Sequence, residues 1–179
     1  MQASLISALD DMNTGLLATE NPGSLGHATL TPTLGGTSNA GINIVPNRAA
    51  VAFDRRVVLG ETTAQVAAEI VAMAETVVRD AQGITLTSNQ LVDVGAFSIA
   101  RDNPFVERLE TISGHRAEIV AFGTNAPQYY PTQPSSNVRA CVVMGPGSID
   151  QAHQDEEYLE IAQLEEHRDV LAKWWGVSI

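Results

Sequence analysis

The chain is poor in the residues that carry the simplest functional signals. It has one cysteine, Cys141, in 179 residues, so no internal disulfide can form. That thiol lies in the apolar run ACVVM and reads as core, not as a reactive group. Positive charge is scarce: 10 Lys and Arg stand against 21 Asp and Glu, for a net charge of -11. So acidic a chain repels phosphate backbones, which argues against nucleic acid as a partner. Long hydrophobic runs are absent too, and none approaches the roughly 20 residues of a membrane helix. The opening MQASLISALDDM is amphipathic and acidic, unlike a signal or transit peptide. Together these absences predict a soluble, cytoplasmic protein. What is present is ample core material, 44% hydrophobic against 17% charged residues, enough for one ordinary domain or two small ones.

Residues 3–19 place Leu5, Leu9, Met12 and Leu16 at helical spacing. Asn21, Pro22 and Gly23 break that helix. Residues 27–35 read as a strand at a sheet edge, because Pro32 lacks a donor. Residues 42–57 read as a second strand, interrupted at Pro46. Its alternation puts Val51, Phe53 and Val57 on a face that should pack on helices, and Ala50, Ala52, Asp54 and Arg56 on the other. Arg55 then falls on the apolar face, where its stem is expected to reach outward to solvent. Residues 61–80 show the clearest helical stripe, Val66, Ile70, Ala74 and Val77, with Thr62 or Thr63 as cap and Gly83 as stop. Residues 84–94, ITLTSNQLVDV, are a further strand candidate. This order predicts two helices packed on one face of an antiparallel sheet.

From about residue 95 the pattern changes to α/β. Asp102 is the expected cap, and Pro104 the first turn, of a helix carrying Val106, Leu109 and Ile112. Residues 116–122 read as a short strand, 123–137 as a loop, and 138–144 as a buried strand of a parallel sheet. A closing helix over 155–174 has Tyr158, Ile161, Leu164, Val170 and Leu171 on its apolar side. Its many carboxylates, Glu156-Glu157 and Glu165-Glu166 among them, read as a solvated face, with His167 exposed. Sites in such sheets lie beyond the carboxyl ends of strands, which is where the loops 123–137 and 145–153 fall.

Three segments carry a resemblance. GGTSNAGINIVPNRAAVAFDRRVVLGE, residues 35–61, resembles the lid domain of the zinc aminoacylase family, which includes acetylornithine deacetylase, succinyl-diaminopimelate desuccinylase and carboxypeptidase G. The lid pattern is two glycines, Asn-x-x-Pro, a strand ending Asp-x-Arg, and a Pro-Gly-Glu turn. It is met at Gly35-Gly36, Asn43 to Pro46, Asp54 to Arg56 and Leu59-Gly60-Glu61, with leucine in place of the turn proline. FGTNAPQYY, residues 122–130, looks like the family's Gly-Thr loop. GPGSIDQAHQDEEYLEI, residues 145–161, is similar to its terminal Gly-Pro-Gly, Ala-His and Glu-Tyr block.

The resemblance implies an α/β fold in two parts. Residues 1–93 would be a ferredoxin-like lid and dimerisation domain, incomplete because its first strand is missing. Residues 94–179 would be the C-terminal segment of a zinc-hydrolase catalytic domain. The family's early His and Asp ligands, and the Glu-Glu pair that includes its general base, match nothing in this sequence. The resemblance therefore casts the chain as the C-terminal half of such an enzyme, with no catalytic residue of its own. It implies a partner in the missing N-terminal half, a homodimer through the lid, and an N-acyl amino acid or small peptide as substrate. The implied cofactor is two zinc ions, with cobalt or manganese as alternatives.

Carried onto this sequence, His153 becomes a metal ligand, and Asn43, Arg56, Gly123 and Thr124 become substrate contacts. Each also has a plainer reading. His153 alone cannot hold zinc, which needs three or four protein ligands, and a lone histidine is an ordinary surface or core residue. Arg56 has a fork suited to a carboxylate but can equally pair with Asp54. Asn43 can orient an amide or simply turn the chain before Pro46. Gly123 and Thr124 can serve a ligand or a turn, and Tyr129 and Tyr130 are weaker candidates for lining a cleft. His27, His115 and His167 match no family position. The rival function is a catalytically inactive dimerisation or small-ligand binding module, with His153 a relic.

Overall fold

The first helix, α1 (Gln2–Leu17), follows the predicted apolar spacing. In the computed structural model, which describes residues 2–20, 26–38, 41, 43–129 and 140–178, it is followed by a two-stranded antiparallel sheet, β1 (Thr29–Thr37) and β2 (Ala49–Arg56). The helix α2 (Thr63–Val78) comes next. The chain forms two compact units. One holds residues 1–96 with 120–122, and the other 97–119 with 123–179.

In the first unit, Leu30 faces Arg55 and Pro32 faces Phe53 across the sheet. The register then slips between Pro32 and Leu34, so that Leu34 meets Ala52 and Gly35 meets Val51. This bulge keeps Gly35 on the helix-facing side. A Cβ at Gly35 would come within 3.1 Å of Gln2 Nε2. The bare backbone instead lets the Gln2 amide donate to the carbonyls of Gly36 at 3.4 Å and Ala50 at 3.1 Å, tying α1 to both strands. Asn13 Oδ1 accepts the Leu30 N–H at 2.8 Å.

Leu9, Leu30, Val66 and Ile70 form the buried cluster, with Leu5, Met12, Leu16, Val51, Val57 and Met73 packed against it. Both helices and the sheet thus contribute to one core, and the fold is a mixed α/β lid-like arrangement with the predicted layering. The start of α2 is capped by Thr62, whose Oγ1 accepts the Gln65 N–H at 3.2 Å.

Several sequence expectations give way. Residues 84–94 form no strand, and Leu91 and Val92 are exposed. Alternation marks a segment as able to pair, but a strand exists only where a neighbour completes its ladder. Phe53 was expected against the helices and remains 39% exposed. Arg55 was expected to reach solvent, yet its side chain is only 5% exposed because Glu61 meets it at the sheet's end.

In the second unit, α3 (Pro104–Ser113) begins one residue later than expected: Asn103, not Asp102, is its cap, with Oδ1 accepting the Phe105 N–H at 2.9 Å. Gly114, at φ 73°, closes it. A single turn, α4 (Ala126–Tyr129), and a 3₁₀ turn (Ile149–Gln151) precede α5 (Ile161–Trp175). Helices α3 and α5 meet through Phe105 and Trp174, edge to face at 5.3 Å, and the Arg108 guanidinium lies 4.7 Å from the Trp174 ring centroid.

The expected strands at 116–122 and 138–144 do not form among the described residues; positions 138 and 139 lie outside them. Val143 and Met144 are exposed rather than buried, and Cys141 is half-buried. The closing helix starts at Ile161 rather than 155, which leaves Tyr158 outside it. Ile161 and Leu164 are exposed, and Val170 is buried. His167 is half-buried, not exposed.

Candidate functional site

The predicted site residues fall in both units. In the first, β2 ends on Arg56, which pairs with Thr29 and carries its side chain on the sheet face opposite the core. That side chain is 55% exposed, and its Nε meets Asp54 Oδ2 at 2.9 Å. The simple salt bridge foreseen for Arg56 is therefore present. It engages the Nε side of the guanidinium, and a planar fork also has an end-on edge, Nη1 with Nη2, suited to a carboxylate. Asn43 is exposed in a turn closed by the Ile44 N–H donating to the Gly41 carbonyl at 3.3 Å.

One residue along from Arg56, the sequence reading missed a built feature. Arg55 Nη2 donates to Glu61 Oε1 at 2.6 Å, and Arg55 Nη1 donates to the Arg56 carbonyl. The other carboxylate oxygen of Glu61 accepts the Val58 N–H at 3.0 Å. The Glu61 N–H returns to the Val58 carbonyl at 3.2 Å. The signal was legible: an arginine on an apolar face needs a partner, and Glu61 follows six residues later.

In the second unit, Gly123 is exposed, and Thr124 Oγ1 accepts the Ala126 N–H at 3.1 Å, which starts α4. A hydroxyl that accepts still has its own proton to donate. Tyr129 is 67% exposed, and Tyr130 lies outside the described residues.

The loop 145–159 is organised in detail. Gly147 takes φ 91°, and Ser148 Oγ caps the 3₁₀ turn by accepting the Asp150 N–H at 3.2 Å. His153 follows at φ 63°, the one non-glycine with positive φ among the described residues. That conformation costs most side chains about 1–2 kcal/mol. It is held by the Glu157 carboxylate, which accepts the His153 N–H at 2.5 Å. Beside it lies an open depression of about 400 Å³, lined in part by Pro146, Gln151 and Tyr158.

The His153 side chain is exposed, and no group of three or more His, Cys, Asp or Glu among the described residues is placed to hold a metal ion. Zinc therefore does not fit these residues by themselves, since a zinc site takes at least three protein ligands. His27 and His115 are engaged elsewhere: His27 Nδ1 lies 2.7 Å from the Thr19 carbonyl, and His115 Nε2 lies 3.2 Å from Glu166 Oε1. No helix among the described residues is long and apolar enough to cross a membrane.

No protein-family model matches the chain. Curated relatives do. Acetylornithine deacetylase of Erwinia tasmaniensis is 31% identical over 80 residues, 45% of this chain and 19% of the relative. That of Vibrio vulnificus is 34% identical over 80 residues, 45% of this chain and 20% of the relative. That of Edwardsiella ictaluri is 39% identical over 66 residues, 37% of this chain and 16% of the relative. The matched stretch spans no more than 20% of these relatives' own length. This chain is thus similar, over just under half its length, to a segment of acetylornithine deacetylases.

Proposed function

We propose that this chain is the lid and closing catalytic segment of a metal-dependent amide hydrolase that cleaves N-acyl amino acids or small peptides. The observation that carries this reading is the similarity to acetylornithine deacetylases. Water would add across the amide bond, giving a free amine and a carboxylic acid. Arg56 would bind the carboxylate of the amino-acid portion through its end-on edge, with Asp54 on its Nε side. Asn43, Gly123 and Thr124 would be further substrate contacts. His153 would contribute one imidazole to a zinc site whose other ligands, with the general base, come from the missing N-terminal half of the enzyme. The lid would also pair two copies of the enzyme.

The test uses the protein isolated from its natural source, incubated with N-acetyl-L-ornithine. Free amine is followed by fluorogenic labelling, and bound metal by emission spectrometry. Amine release and bound zinc are expected, with His153→Ala losing both. A second reading, an inactive dimerisation or small-ligand binding module, is equally compatible with the lack of a metal-holding cluster among the described residues. It predicts no amine release, no bound zinc and an inert His153→Ala.

A further inference from the structure

The feature left without a role is the buried Arg55–Glu61 pair. Its burial is uneven, with Arg55 5% and Glu61 27% exposed. Arg55 Nε is buried with no hydrogen-bond partner among the described residues. A hydrophobic pair at this place would avoid both the desolvation and that unmet donor. What the pair achieves, and a hydrophobic pair would not, is to hold named backbone groups. Arg55 holds the Arg56 carbonyl, and Glu61 holds the Val58 N–H. The two residues flanking the Arg56–Val58 backbone are thereby joined across the strand's exit. Pinning that backbone sets where the Arg56 Cα–Cβ bond points, and Asp54 then sets the guanidinium from the same face.

We propose that Arg55 and Glu61 are positioning residues that aim the Arg56 guanidinium at an anionic ligand carboxylate. This rests on the reading of Arg56 as a carboxylate contact. Neither residue touches the ligand. Both act through the Arg56 backbone, which is why a charged, hydrogen-bonding pair stands where packing alone would favour apolar side chains.

The experiment uses the full chain with ¹⁵N-labelled arginine and N-acetyl-L-ornithine as probe. Two readouts are taken: the order parameter of the Arg56 Nε–H, and the affinity from ligand-induced shifts. Glu61→Gln and Arg55→Lys are compared with Arg56→Ala, at a temperature where each variant is folded. Arg55→Lys keeps one charge against Glu61 but cannot also span to the Arg56 carbonyl. The expected result is a loss of Arg56 Nε–H order in both clamp variants, with affinity about tenfold weaker, since small misplacements of a binding group are costly. A purely structural role would lower the unfolding midpoint and leave both readouts unchanged, and that result overturns the proposal. If Arg56→Ala leaves affinity intact, or the chain does not bind the probe, the carboxylate reading of Arg56 fails. The order parameter still decides whether the clamp positions Arg56: unchanged order in both clamp variants overturns the positioning claim on its own.

Discussion

Removing the Glu61 carboxylate, as in Glu61→Ala, tests the packing argument most directly. It strands a guanidinium that is 95% buried and leaves the Val58 N–H without its acceptor. Breaking a fully buried ion pair from one side costs about 3–5 kcal/mol. Glu61 keeps 27% of its surface in water, so part of the lost interaction is recovered by solvent. The expected loss is therefore about 2–3 kcal/mol. For a unit of this size that lowers the midpoint of thermal unfolding by roughly 10–20 °C. Both tryptophans, Trp174 and Trp175, lie in α5 of the other unit, so their fluorescence would report the wrong transition. Hydrogen exchange at β2 and α2 amides, with urea titration by circular dichroism, reads the right one. The double variant Arg55→Met/Glu61→Leu should regain the part of the loss that comes from the stranded charge, because an apolar pair of similar volume has none, while the Val58 N–H stays without its acceptor. A loss below about 0.5 kcal/mol, the range of ordinary surface substitutions, would refute the reasoning. So would a double variant no more stable than the single one.

Further outcomes follow from particular contacts. Leu30→Ala, at a residue that is 0% exposed in the central cluster, should cost about 3–5 kcal/mol in urea denaturation of the first unit. Thr62→Ala removes the cap on α2 and should cost about 1 kcal/mol. Thr62→Gly should cost only a few tenths, and that difference is the check on the capping assignment. At His153, whose φ is 63°, glycine should be more stable than alanine by about 1 kcal/mol, read from thermal unfolding of the second unit. Leu34, Val45, Leu91 and Val92 are all largely exposed in the first unit. If the proposed pairing of lids is right, light scattering should show a dimer whose dissociation is promoted by Leu34→Glu or Val45→Glu.

The amino-acid order by itself determined the local elements. Periodicity of 3.6 placed Leu5, Leu9, Met12 and Leu16 on one side of α1, and Val66, Ile70 and Ala74 on one side of α2. Those patterns are statements about neighbours three or four residues apart, and they need nothing distant to be true. The Asp54–Arg56 pair is local in the same sense, two residues apart on one strand face. The α3 cap shifted by one residue because Asn103 and Asp102 are both good caps, and backbone geometry chose between them.

Tertiary structure decided what depends on a distant partner. Residues 84–94 and 116–122 have the composition of strands but no ladder, because pairing requires a second segment in register. Ile161 and Leu164 lie on a predicted apolar stripe that nothing among the described residues covers, whereas Val170 is buried in the same helix. The fate of Arg55 turned on whether a carboxylate arrived at its end of the strand. Only the turn at 57–60, folding Glu61 back onto β2, converts an awkward charge on an apolar face into a clamp on the Arg56 backbone. At His153 the sequence named the residue. Its left-handed backbone is visible only in the structure, although the group that holds it, the Glu157 carboxylate accepting the His153 N–H, is a local neighbour four residues on.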